Sequence, residues 1–267
     1  MTGPIVMGVL NVTPDSFSDG GLYLDTDAAV EHARAMSEAG AAIVDVGGES
    51  TRPGAEPVPE PDELGRVVPV IERIVGGDVD ARVSIDTRKL AVAEAALQAG
   101  ARIVNDVSAF RAAPEMAGLV ASAGAGCCLM HMLGDDPRTM QDEPRYDDVV
   151  ADVAAFLEER LAFAVAEGVP EERVWLDPGI GFGKTLDHNL ELLRRLDEIA
   201  ALGRPVVIGV SRKSFLGRLT GRAEARDRVA ASVAANVLAY ERGASIFRVH
   251  DVAETVDALA VAGATVA

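Results

Sequence analysis

Eight times along the chain a short run rich in Val, Ile and Ala gives way to an Ala-, Leu- and Glu-rich amphipathic stretch, and this alternation constrains the fold more than any other feature. Strand and helix patterns taking strict turns are what repeated βα units around a parallel sheet require. Strands are expected at Ile5 to Val12, Ala42 to Val46, Arg82 to Asp86, Arg102 to Asn105, Gly126 to His131, Arg173 to Asp177, Pro205 to Val210 and Ser245 to Val249. Helices are expected to begin near Asp27, Asp62, Lys89, Pro114, Asp147, His188, Ala225 and Ala253, several with the acidic or Pro residues favoured in a first turn. Three helical stretches end at Gly40, Gly100 and Gly243, each followed at once by a strand, as a left-handed helix cap requires.

Such a series either closes into a barrel or opens as a doubly wound sheet, and periodicity alone does not choose between them. The polar residues do. Each strand is apolar until its last positions, where it delivers Asn11, Asp45 with the loop from Glu49 to Arg52, Asp86, Asn105, His131, Asp177, Ser211 with Lys213, and Arg248 with His250. A barrel gathers the C-terminal ends of all its strands at one mouth, whereas an open sheet scatters them. The chain has 267 residues, close to the roughly 250 typical of a (β/α)8 TIM barrel. One α/β domain of that kind over residues 1–267 is therefore expected. Three connections, Thr13 to Thr26, Gly47 to Pro61 and Gly134 to Tyr146, are long for plain linkers and read as functional loops.

A net charge of −17 disfavours nucleic acid or an anionic membrane as partner, since both are held by clustered Lys and Arg. No apolar run reaches the roughly 20 residues of a membrane-spanning helix, and the first residues lack a basic, signal-like region. A soluble, cytoplasmic protein is the expectation. Cys127 and Cys128 are adjacent in an apolar run, so their side chains point to opposite faces and read as reduced, buried thiols.

An anionic substrate would need a basic cluster set into this acidic surface. Ser211-Arg212-Lys213-Ser214 and Arg248-Val249-His250-Asp251 supply one after the seventh and eighth strands, where barrels commonly hold phosphate. Lys213 reads as an ion-pair or hydrogen-bond donor rather than a Schiff-base nucleophile, because nothing beside it in the sequence indicates a depressed pKa. Asp86, Asn105 and Asp177 offer carboxylate and amide edges suited to the amino-pyrimidinone edge of a pterin or purine, although helix capping explains each one singly. Gly179-Ile180-Gly181-Phe182-Gly183-Lys184 lacks the spacing and hydroxyl of a P-loop. It reads as a tight turn, with Phe182 either stacked on a flat ring or in the core and Lys184 outside and solvated. With four histidines in all, a multi-histidine zinc site has little material, and magnesium held through phosphate and one side-chain oxygen is the more natural metal.

Taken in order, the motifs resemble the dihydropteroate synthases along nearly the whole chain. Met7 to Gly21 (MGVLNVTPDSFSDGG) is similar to that family's opening signature and Gly47 to Gly54 (GGESTRPG) to its second. SIDT at Ser84, NDVS at Asn105, MHM at Met130, DPGIGFGKT at Asp177, SRKS at Ser211 and RVHD at Arg248 follow. The stretch from Gly134 to Pro137 is one residue longer than the common form. The resemblance implies that Asp86, Asn105, Asp177 and Lys213 bind a pterin, with Met130 and Phe182 lining its pocket. It places the pyrophosphate on Asn11, Thr51, Arg248 and His250, with Asn11 acting through Mg2+. It gives p-aminobenzoate to Phe17, Thr51, Arg52, Pro53, Phe182 and Ser211. The implied partners are 6-hydroxymethyl-7,8-dihydropterin pyrophosphate and p-aminobenzoate, and the implied assembly is a homodimer. A pterin-dependent methyltransferase would share the Asp and Asn contacts but has no use for the Lys213, Arg248 and His250 cluster. A non-catalytic pterin-binding paralogue would have no need of Asn11 and the Thr51 to Pro53 loop, and a phosphate-binding aldolase would use Lys213 as a Schiff base.

Overall fold

The computed structural model describes residues 3–13, 21–50, 56–135 and 139–265, and of 21–25 the backbone only. Eight parallel strands close into a barrel in sequence order. They are β1 (Ile5–Asn11), β2 (Ile43–Gly47), β3 (Arg82–Asp86), β4 (Ile103–Asp106), β5 (Gly126–Met130), β6 (Val174–Asp177), β7 (Val206–Ile208) and β8 (Ala244–Val249). The last strand pairs with the first, Met7 opposite Arg248, so the sheet has no edge. Expected strand ends are met within one residue except at β7, which stops two residues early. There the chain leaves the ladder at Gly209, and the Val210 carbonyl accepts the Lys213 N–H in a turn instead.

The helices are α1 (Gly21–Glu38), α2 (Glu60–Val75), α3 (Leu90–Gln98), α4 (Met116–Ala123), α5 (Val149–Ala166), α6 (Leu186–Arg194), α7 (Leu196–Ala200), α8 (Ser214–Thr220), α9 (Val229–Glu241) and α10 (Val252–Thr265). Two depart from one helix per unit. α7 continues α6 after a break, and α8 precedes the helix expected near Ala225. α1 starts six residues ahead of Asp27, because nothing between Leu22 and Thr26 breaks a helix, so the first long connection is shorter than Thr13 to Thr26. Asp148 caps α5 by accepting from Val150 N (2.9 Å) and Ala151 N (3.1 Å), and Thr185 caps α6. Gly40, Gly100 and Gly243 hold positive φ (100°, 112° and 97°), as their reading as left-handed caps requires.

Side chains alternate along a strand, so residues two apart share a face. Ile5, Met7, Ile43, Ile103, Cys128, Trp175, Val207 and Ile246 form one buried cluster filling the barrel, separate from the larger core between strands and helices. Each such side chain contributes about 1.5–3 kcal/mol on burial, which makes this layer a firm floor. Two residues further along the same inward faces stand Asp45 after Ile43, Asn105 after Ile103, Met130 after Cys128, Asp177 after Trp175 and Arg248 after Ile246. Both cysteines are free and buried. Among the described residues no helix is long and apolar enough to cross a membrane.

Candidate active site

The polar layer resting on that floor is tied together across the barrel. Arg248 of β8 donates from Nε to Asp45 Oδ2 (2.6 Å) and from Nη2 to Asp86 Oδ2 (2.7 Å). Asn105 Nδ2 donates to the same Asp45 oxygen at 2.9 Å. Asp45 is fully buried, and its Oδ1 has no hydrogen-bond partner among the described residues. An unpartnered buried carboxylate oxygen is costly, so this atom marks where a ligand donor would be gained. Burial pushes Asp86 up to about 7 against the opposing pull of Arg248, with the Asp45 charge adding to the rise.

On the other side of the mouth, Asp177 ends β6 with Oδ1 accepting Gly179 N–H at 2.7 Å. Burial raises its pKa, while the Lys213 charge and the Gly179 hydrogen bond resist. Lys213 Nζ donates to the Ile180 carbonyl and stands 4.7 Å from the centre of the Phe182 ring, a cation–π distance. Burial brings Lys213 down to about 8, against the Asp177 charge that holds it up. The sequence reading had seen no cause for a depressed pKa there, and burial is that cause.

Phe182 packs against Val107, Met130, Met132 and Met140 in an apolar patch at the rim, as its reading as a packed residue has it, and its ring also faces Lys213. Ser211 Oγ accepts the His250 backbone N–H and lies 3.1 Å from His250 Nδ1, which joins the ends of β7 and β8. Arg212, next to Ser211, is engaged by Asp251 through Nε at 3.0 Å. Asn11 closes β1 opposite Gly47 of β2.

The mouth therefore unites Asn11, Asp86, Asn105, Met130, Asp177, Phe182, Ser211, Lys213, Arg248 and His250. Phe17, Thr51, Arg52 and Pro53 lie outside the described residues. Lys184 contradicts its sequence reading: it is 4% exposed, not solvated, because the turn that carries it folds back beneath the loop after β5. Asp45, noted at a strand end but given no role, is the hub that Arg248 and Asn105 share.

A planar carboxylate at Asp177, the carbonyl oxygen of Asn105 left by its bond to Asp45, and two half-buried cations, Lys213 and Arg248, are what a flat, N–H-rich heterocycle carrying an anionic group needs. The family model described as pterin binding enzyme matches residues 7–250. The chain belongs to the pterin-binding enzyme family, among the dihydropteroate synthases. It is 47% identical over 267 residues to the dihydropteroate synthase of Escherichia coli K12, covering 99% of this chain and 93% of that one. A probable bifunctional folylpolyglutamate synthase/dihydropteroate synthase of Haloferax volcanii is 53% identical over 97% of this chain, which spans only 30% of that longer protein. The structure of Xanthomonas albilineans dihydropteroate synthase with 4-aminobenzoic acid superposes with a TM-score of 0.92 at 50% identity, covering 98% of this chain and 93% of that one. Membership makes this chain a transferase of folate biosynthesis.

Proposed function

We propose that the chain joins the 7,8-dihydropterin-6-ylmethyl group of its pyrophosphate ester to the amino group of p-aminobenzoate, giving 7,8-dihydropteroate and pyrophosphate. The observation that carries this is the inward layer of Asp86, Asn105 and Asp177 facing Lys213 and Arg248 at one mouth. Asp177 accepts two parallel N–H bonds from the pterin, Asp86 and Asn105 read its far edge, and Lys213 donates to a ring acceptor. Met130 and Phe182 wall the ring. The methylene carbon loses its bond to the pyrophosphate oxygen and gains one to the arylamine nitrogen, which gives up a proton.

Negative charge grows on the departing pyrophosphate, and fixed donors there lower the barrier because they need no reorganisation. Arg248 spends Nε and Nη2 on Asp45 and Asp86, which aims the guanidinium and leaves Nη1 for the phosphate. His250, braced by Ser211, and Asn11, with Thr51, complete that side. Thr51, Arg52, Pro53, Phe17 and Ser211, with Phe182, hold the p-aminobenzoate.

Among the described residues no cluster of three metal-ligating side chains exists. A hard dication that enters on the pyrophosphate and takes one protein oxygen from Asn11 fits that donor set better than a resident protein cage. Mg2+ bound there would neutralise the leaving group. A cytoplasmic homodimer is part of the same proposal. The test is incubation with the pterin pyrophosphate, p-aminobenzoate and Mg2+, with mass spectrometric detection of dihydropteroate. Equimolar dihydropteroate and pyrophosphate are expected. Tight pterin binding without product would favour a non-catalytic paralogue.

A further inference from the structure

The most unusual side chain outside the roles above is Lys184, a buried amine that no described carboxylate contacts and whose pKa burial pushes well below the usual lysine value, against the Asp177 charge. Its Nζ donates to the Phe182 carbonyl at 3.0 Å and lies 2.9 Å from His131 Nδ1. Burial, with the Lys184 and Arg111 charges, brings the His131 imidazole down to about 2, so the ring is neutral and Nδ1 accepts. The His131 ring stands edge-on to Phe156 at 4.9 Å, fixing the acceptor's direction.

The turn that Lys184 holds is secured along its length. Ile180 O accepts from Lys213, Gly181 O from Gln141, Phe182 O from Lys184 and Gly183 O from Tyr146 Oη at 2.8 Å. It lies flat on the loop after β5: a Cβ on Gly179 would stand 1.8 Å from His131 O, and one on Gly183 2.3 Å from Leu133 Cβ. Gln141 and Lys184 hold the two peptides that flank Phe182, and of these two donors Lys184 ties its peptide to β5's own extension at His131. The direction of that carbonyl sets the plane in which the ring leaves the backbone. The ring in turn sits beside the Lys213 ammonium.

We propose that Lys184, held by His131, is a positioning residue for the pterin: it fixes the Phe182 peptide so that the aromatic ring stands over Lys213 at the pocket wall. It touches no reacting atom. The inference rests on the pterin reading of this mouth, and its test separates the two. His131→Leu keeps bulk against Phe156 but removes the acceptor. His131→Asn sacrifices bulk but places Oδ1 where Nδ1 was. Lys184→Met removes the donor.

Steady-state KM for the pterin pyrophosphate and for p-aminobenzoate, calorimetric Kd for the pterin pyrophosphate, and urea stability would be measured for each. His131→Leu and Lys184→Met should weaken pterin KM and Kd roughly tenfold, the equivalent of about 1.4 kcal/mol, with the p-aminobenzoate KM unchanged. His131→Asn should stay within about threefold of wild type in pterin Kd, rescued by its acceptor, even though it is the less stable histidine variant. Equal pterin affinity in all three, or equal losses in the Leu and Asn variants that follow stability alone, would overturn the proposal. A wild type that binds the pterin without turnover would refute the proposed function yet leave the Kd comparison decisive. A wild type that binds no pterin would overturn both.

Discussion

Replacing Arg248 with Met tests the electrostatic architecture of the mouth at its centre. Arg248 answers two carboxylates, Asp45 at 0% exposure and Asp86 at 10%. Removing one partner of a buried, hydrogen-bonded charge pair costs about 3–5 kcal/mol, chiefly because the abandoned charge stays buried. Here two are abandoned, and Asp86 can take up a proton, so part of the loss must depend on pH. Asp86 already titrates near 7, raised from 3.8 by burial. A carboxyl whose folded pKa lies above its unfolded value contributes stability that is complete below the unfolded pKa and lost as pH rises through the folded one. Without Arg248 the folded pKa of Asp86 rises further, so at pH 5 the variant holds Asp86 neutral, while at pH 8 it must bury that charge or bind a proton against the solution. Urea unfolding of both proteins at pH 5, 6.5 and 8 should show a deficit of about 3–5 kcal/mol at pH 8 that shrinks by about 1 kcal/mol at pH 5. A deficit below about 1 kcal/mol at pH 8, or one independent of pH, would refute the reasoning.

Asp177→Asn replaces an acceptor with a donor facing the pterin and should weaken its binding by about 1–3 kcal/mol in calorimetry; unchanged affinity would remove Asp177 from the site. Lys213, lowered to about 8 from 10.5 by burial, carries its positive charge only below that pH. Pterin kcat/KM should therefore fall as pH rises through about 8, and Lys213→Met should abolish that limb of the profile. Because Asp86, Asn105 and Asp177 sit on strand ends and so stand ready for the proposed pterin, p-aminobenzoate should bind tightly only once the pterin pyrophosphate and Mg2+ are in place. Equal affinity for the free protein would contradict that order. EDTA should suppress turnover and added Mg2+ restore it, and activity untouched by chelation would exclude the metal's role.

The barrel and much of its mouth are legible because several strands announce their ends by exchanging an apolar residue for a polar one on the inward face. Asn105, Asp177 and Arg248 could be found that way, each two residues beyond a floor residue. What resisted reading depends on contacts between distant segments. Asp45 and Arg248 meet across 203 residues, and no local pattern marks Asp45 as their junction. Lys184 looks solvated because lysine usually is; only the closeness of its glycine turn to His131 and Leu133 buries it. The depressed pKa of Lys213 likewise comes from enclosure, which a sequence does not display. α8 was overlooked because seven residues with Gly217 among them give too short a period to register.

Where the pterin lies decides the role of this mouth most directly. A crystal structure with the pterin pyrophosphate and Mg2+ should show the ring's N–H edge on Asp177, its far edge toward Asp86 and Asn105, its face on Phe182, and the pyrophosphate between Asn11, Arg248 and His250. A pterin bound away from Asp177, or a pyrophosphate on the opposite side of the mouth from His250, would contradict it.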